Sequence, residues 1–170
     1  DQTYEALPTM PIPDVLQPLS DFTSTTVLPK TPMPSLDVSK PLYIYNSYNL
    51  DPNLDVSIDG NRLLLLEPSH FKRFPISDTV LNFILELSKN IPGVEVFVGE
   101  VNEIPELRQF PKIVSKEHPA FRHYPGQKQE RDWMFPGLTV KHTSFFRFWK
   151  QAESKAKKML GSQQIALALH

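Results

Sequence analysis

The chain has 170 residues, with 18 Lys and Arg against 19 Asp and Glu, a formal net charge of −1, and no cysteine. This length suits one domain, and the balanced charge excludes a strongly basic nucleic-acid-binding protein. The lack of cysteine excludes disulfides, thiolate nucleophiles and sites in which cysteine binds zinc or iron–sulfur clusters. The longest apolar run, residues 63–66, is far shorter than the roughly 20 residues that cross a bilayer, so we expect a soluble, cytoplasmic protein. Because the first residue is Asp1 and not Met, we also expect a processed chain or a part of a longer one.

Residues 1–41 differ in composition from the rest, because they contain eight of the 17 prolines. Proline at this density removes backbone donors and disfavours both helices and central strands. We therefore expect a connector or an arm that lies along the surface. One helical turn is predicted over residues 12–19, where Pro13 suits a first helical position.

Strand and helix patterns alternate after Pro41. Residues 63–66 are apolar at every position, which is typical of a strand covered by helices on both faces of a sheet. Ser77 or Asp78 can cap a helix, because their side-chain oxygens accept hydrogen bonds from the first free amides. The predicted elements are strand 42–45, strand 62–66, helix 78–90, strand 94–98, a short helix 102–110, strand 112–115 and a last helix from 145 to about 160.

This alternation is typical of an open, mostly parallel, Rossmann-like α/β sheet flanked by helices and joined by right-handed crossovers. Residues 63–66 and 94–98 are expected at the centre of its three-layer core. The predicted organisation is a Pro-rich arm over 1–41, the α/β domain over 42–160 and an appended or disordered tail over 161–170. The helix over 78–90 is expected to bury one apolar stripe, made of Val80, Leu81, Ile84 and Leu87.

Polar residues follow each predicted strand. Ligands of open parallel sheets bind at the carboxyl ends of the strands, so these residues are candidates for a binding site. Two carboxylates and two histidines there could perform acid–base chemistry, although solvated or helix-capping roles are the commoner use of such residues. The candidate binding residues are Asn46, Tyr48, Glu67, Ser69, His70, Glu100 and His118.

No metal site and no catalytic residue is predicted. His118 and His123 could bind a metal with Glu117, but Pro119 and Pro125 prevent the helix that would bring both histidines to one face. The sequence lacks the Gly-x-Ser-x-Gly elbow of serine hydrolases and the Gly-rich loops that bind dinucleotides or triphosphates. Classical cofactor binding by this chain is therefore not expected.

Aromatic and basic residues concentrate near the last predicted helix. Phe145, Phe148 and Trp149 lie at helical spacing on one face, for which core packing is the simpler interpretation and docking onto another domain is the alternative. Residues 141–158 contain six Lys and Arg but only one acid, Glu153. Because charge is balanced elsewhere, we expect contact with DNA to be weak or indirect.

Several motifs together resemble a bacterial family of photolyase/cryptochrome-like flavoproteins. The motifs include Glu67-Pro68-Ser69-His70 and Val96-Phe97-Val98-Gly99-Glu100, and the remaining ones lie at 74–77, 87–91, 116–119, 131–133 and 144–146. In that family a helical FAD-binding domain comes first and a region similar to this one follows it. The resemblance extends from Asp1 to about residue 155 and includes the Pro-rich arm.

The resemblance implies a non-catalytic, antenna-like α/β domain that packs on the helical FAD-binding domain of the same parent protein. It further implies that FAD belongs to that partner domain. The parent protein would be a deoxyribodipyrimidine photo-lyase or a cryptochrome, active in DNA repair or signalling. The resemblance also implies that a light-harvesting chromophore could bind at the strand ends of this chain. Residues 46–50, Asn-Ser-Tyr-Asn-Leu, stand where ordinary antenna domains have an Arg-Arg-Asp-Leu-Arg-like stretch. Two alternatives remain open: an independent hydrolase or transferase that uses Glu67, His70, Glu117 and His118, and a purely structural interaction domain.

Overall fold

The computed structural model of the chain describes residues 11–16, 24–133, 135, 138 and 144–167. The strands and α-helices among these residues are β1 (Leu42–Tyr45), β2 (Asn61–Leu66), α1 (Pro68–Arg73), α2 (Asp78–Ser88), β3 (Val94–Val98), β4 (Ile113–Lys116), β5 (Gln127–Gln129) and α3 (Phe145–Leu167). The strands form one open sheet in the order β3-β2-β1-β4-β5, which confirms the predicted α/β fold class.

The chain divides into two compact units, Asp1–Ile113 and Val114–His170. The division falls inside the single domain that the sequence predicted over 42–160. In the first unit, β1 pairs with β2 and β2 with β3, all in parallel. Every residue of β1 is buried, and so is every residue of β2 after its first, because both faces of these strands are covered.

The strand β3 lies at the edge of the sheet and only its Phe97 is buried, so its predicted place at the centre of the core is wrong. The described part of the arm contacts this edge through hydrogen bonds. The N–H of Val98 donates to Oγ1 of Thr31 at 2.9 Å, and the N–H of Ser35 donates to Oε2 of Glu95 at 3.0 Å. The arm thus binds one backbone N–H of an edge strand, which leaves fewer unpaired groups for pairing with other chains.

Two features of the first unit's helices differ from the sequence prediction. The helix α1 was not predicted, because Pro68 ends strand β2 and also occupies the first position of a helix. The helix predicted over 102–110 is wrong: only a 3-10 turn forms at Val101–Glu103, and Pro105 prevents its continuation. Near the amino terminus, the predicted turn over 12–19 is described as far as residue 16, with a 3-10 turn at Asp14–Leu16.

The second unit pairs β4 and β5 in parallel and ends in α3. The helix α3 reaches Leu167 and so includes residues 161–167, and the rest of the predicted tail, residues 168–170, lies outside the described residues. The core interpretation of its aromatic face is wrong for Phe145 and Trp149, which are 65% and 40% exposed, whereas Ala152 on the same helix is fully buried. Within the described ranges, no helix is both long enough and apolar enough to cross a membrane.

Candidate functional site

The loops that follow β1, β2 and β3 meet at one edge of the first unit, as the sequence predicted for parallel strands. Side chains connect them in pairs: Tyr48 after β1 contacts His70 after β2, and Ser69 after β2 binds Glu100 after β3. Six of the seven candidate residues therefore belong to this edge or lie beside it. The seventh, His118, belongs to the second unit.

The two carboxylates at this edge bind backbone amides. Glu67 is only 2% exposed, and its Oε1 accepts from the N–H of Val101 at 3.1 Å. Glu100 accepts from the N–H of Ser69 at 2.8 Å and from its hydroxyl at 2.7 Å. The turn between β2 and α1 is thus stabilised by carboxylates that the chain itself supplies, as in helix capping.

The first strand ends in a turn held by Asn46. Its Oδ1 accepts from the N–H of Tyr48 at 2.9 Å, and its carbonyl accepts from the N–H of Asn49 at 3.1 Å. The side-chain amide Nδ2 of Asn46 is buried and has no hydrogen-bond partner among the described residues. Asn46 therefore shapes the loop that presents Tyr48, which is itself exposed.

A small cavity lies between this loop and the helices α1 and α2. Its volume is about 210 Å³. The ring of His70 stands edge-on to those of Tyr48, at 5.7 Å, and of Phe71, at 5.3 Å. The cavity is lined by Ser47, Tyr48, His70, Phe71, Ile76, Val80, Phe83 and Ile84. A space of this size and lining suits one flat ring system or one large apolar side chain.

Apolar side chains surround the cavity on the outer surface of α2. Val80, Phe83 and Leu87 are 45%, 64% and 38% exposed, although Leu81 and Ile84 on the same helix are buried. The prediction of one buried stripe is therefore half wrong, because the core covers only the side of the apolar face with Leu81 and Ile84, and the adjoining side with Val80 and Leu87 faces solvent. We call the exposed side chains around the cavity the docking face; it comprises Tyr48, Phe74, Val80, Phe83 and Leu87.

His118 caps a 3-10 turn in the second unit. Its Nδ1 accepts from the N–H of Ala120 at 3.2 Å, and its ring lies 5.6 Å from that of Phe121. Burial lowers the pKa of His118 below its usual value, and the nearby charge of Arg131 lowers it further. The ring is therefore a neutral acceptor at Nδ1 in a structural turn. Its neighbour Glu117 pairs with Arg131 at 2.6 Å.

A serine and a lysine also meet in this unit. Nζ of Lys128 donates to Oγ of Ser115 at 2.9 Å and to the carbonyl of Tyr124 at 2.6 Å, and burial lowers the pKa of this lysine. Ser115 is fully buried, so this hydrogen bond lies inside the unit. No cluster of three potential metal ligands occurs in the described part of the chain.

Sequence reasoning missed several residues of this site, notably Phe83 and Ile76. A signal for Phe83 was available, because six of the eight residues from 80 to 87 are apolar, which exceeds what one buried stripe requires. Ile76 carried no signal, because its place depends on contacts distant in sequence.

A comparison with protein-family profiles, curated proteins and solved structures returns no match.

Proposed function

We propose that this chain is the non-catalytic α/β domain of a photolyase/cryptochrome-like flavoprotein, and that it docks onto a helical FAD-binding domain through the docking face. The partner is the one implied by the resemblance in the sequence motifs. FAD belongs to that partner, and contact of this chain with DNA is weak or indirect. The chain's own role is to bind and orient, without chemistry at its strand ends.

The exposed stripe of α2 carries the docking part of this proposal. A helix at the surface of an isolated domain buries its apolar face, whereas the apolar face of α2 is wider than its contact with the core and leaves Val80, Phe83 and Leu87 in solvent. Large exposed aromatic and aliphatic side chains around a small cavity are typical of a surface that another protein covers. Removing these side chains from water would stabilise a complex by the hydrophobic effect.

The polar contacts at the strand ends favour a non-catalytic role. A general acid or base needs access to substrate, whereas Glu67 is buried on a backbone amide and Glu100 caps Ser69. A phosphate group would require the N–H of Ser69, which already binds the carboxylate of Glu100. These contacts support binding through apolar surface in preference to hydrolysis or group transfer.

The cavity supports one further part of the proposal, a light-harvesting chromophore. Its aromatic lining and its volume of about 210 Å³ fit one flat ring of such a molecule, with the remainder lying on the docking face. A bound flavin, deazaflavin or folate would add near-ultraviolet or visible absorbance to the purified protein. An aromatic side chain of the partner domain is the other occupant that this lining suits.

The test is a binding titration against a helical FAD-binding domain taken from the resembling family. Phe83→Asp places a charge in the middle of the docking face, and we expect it to weaken binding by at least tenfold, or about 1.4 kcal/mol. Asn82→Asp adds the same charge at the neighbouring exposed position of α2 and should leave the affinity unchanged. Equal affinity of both variants and the unchanged chain would refute docking through this face, and circular dichroism would show that both variants fold.

A further inference from the structure

The arm and the cavity are connected by one side chain. The hydroxyl of Thr26 accepts from the N–H of Ile76 at 2.7 Å and donates to the carbonyl of the same residue at 3.0 Å. Both backbone polar groups of Ile76 are therefore satisfied by a single residue 50 positions earlier in the chain. Ile76 in turn is one of the residues that line the cavity.

Ile76 needs such an anchor because of where it lies. It belongs to the four-residue connection between α1 and α2, outside any helical or sheet hydrogen-bonding pattern. Pro75 before it has no N–H, and Ser77 after it uses its hydroxyl to accept from the N–H of Val80. The neighbouring residues therefore supply no hydrogen bonds of their own to the backbone of Ile76.

We propose that Thr26 is a positioning residue for the cavity, and that the seating of the arm and the filling of the cavity are coupled through Ile76. This inference rests on the docking role proposed above. When the Thr26 hydroxyl is in place, the connection is fixed and the Ile76 side chain forms one wall of the cavity. When it is removed, two half-buried backbone groups lose their partner, and the wall is free to shift.

The arm has a second attachment, which provides an internal control. Thr31 accepts from the N–H of Val98 on β3, at a site that does not line the cavity. A change that acts only through Thr26 should leave the Val98 contact intact. A general release of the arm would instead affect the amides of Val98 and Ile76 together.

The test compares the unchanged chain with Thr26→Val, which keeps the shape of threonine and removes the hydroxyl, and with Thr25→Val as a matched control at the adjacent exposed position. Two quantities are measured: the affinity for the apolar dye 1-anilinonaphthalene-8-sulfonate, and the hydrogen-exchange rate of the Ile76 amide. We expect Thr26→Val to weaken dye binding and to accelerate Ile76 exchange, each by about fivefold, as the loss of one hydrogen bond implies. Val98 exchange and both properties of Thr25→Val should be unchanged.

Three results would overturn the inference. Ile76 exchange that accelerates without any change in dye affinity would mean that Thr26 holds the connection but does not shape the cavity. Weakened dye binding with an unchanged Ile76 amide would mean that the effect does not pass through Ile76. Equal acceleration at Val98 and Ile76 would mean that the whole arm is released. Failure of docking itself is recognised separately, because Phe83→Asp would then leave the affinity for the FAD-binding domain unchanged whatever Thr26→Val does.

Discussion

The buried guanidinium of Arg62 on β2 offers a quantitative test of how the first unit is held together. Arg62 is 7% exposed, and its Nη1 donates to Oη of Tyr45 and to the carbonyl of Leu54, both at 2.8 Å. Its Nη2 donates to the carbonyls of Asp55 at 2.9 Å and Ile58 at 3.4 Å. One side chain thus holds the connection between β1 and β2, in which Asp55 adopts the left-handed region with φ 44°.

We predict that Arg62→Met lowers the free energy of unfolding by about 3–5 kcal/mol, because several acceptors lose a charged donor at a cost of about 1–3 kcal/mol for each one left buried and unsatisfied. The methionine fills the space of the side-chain stem, so the loss comes from the acceptors left without a donor and not from a cavity. Arg62→Lys keeps the charge but cannot bind four acceptors, and we expect a loss of about half that size.

Urea denaturation followed by circular dichroism measures both variants, with the slope of the transition checked for two-state behaviour. A domain of this size has a stability of about 5–15 kcal/mol, so a loss of the predicted size is a large fraction of it and lowers the midpoint strongly. An Arg62→Met variant within 1 kcal/mol of the unchanged chain would refute the assignment of Arg62 as the anchor of this connection.

Four further predictions concern the core, the arm, the second unit and light-driven activity. Leu65→Asp places a carboxylate in a strand that is buried on both faces, so it should prevent soluble, cooperative folding. The control Phe83→Asp, on the exposed face of α2, should fold normally. A Leu65→Asp protein that melts cooperatively would contradict the β2 assignment. Thr31→Val removes the partner of the Val98 amide and should lower the melting temperature by about 2–4 °C, and deletion of residues 1–41 should lower it further; unchanged melting after the deletion would rule out an arm that covers β3. The pKa of His118 is lower in the folded chain than in the unfolded chain, so the unfolded chain binds a proton at this imidazole more readily. The stability of the fold should therefore decrease as the pH falls below about 6.5. His118→Gln should flatten that part of a plot of melting temperature against pH. The isolated chain should retain no FAD and repair no pyrimidine dimers under blue light, and stoichiometric FAD after purification would contradict this expectation. Its affinity for DNA should be weak and should decrease between low and physiological salt.

Local sequence signals predicted the elements that are themselves local. The bounds of β1 and β3 agree with the prediction, because proline or glycine flanks each short apolar run. Ser77 caps α2 as expected, since its hydroxyl accepts from Val80. By contrast, β5 consists of Gln127, Lys128 and Gln129, polar residues that carry no strand signal and pair only because β4 lies beside them.

The arrangement of the site depends on contacts that no local pattern records. The order of the strands decides that β3 is an edge, and composition could not distinguish an apolar edge covered by an arm from a central strand. Ser69 and Glu100 are 31 residues apart, and Thr26 and Ile76 are 50 apart. Sequence could identify Tyr48 and His70 as residues at the strand ends, but not that their rings would line a cavity with α2.

The most direct test of the docking role is hydrogen exchange of the chain alone and in complex with a helical FAD-binding domain of the resembling family. We predict that the complex protects the backbone of α1, α2 and the turn around Tyr48, and that Phe83→Asp removes this protection. The contradicting result is a stable complex in which α1 and α2 exchange as they do in the isolated chain, with protection instead on α3 around Phe145 and Trp149.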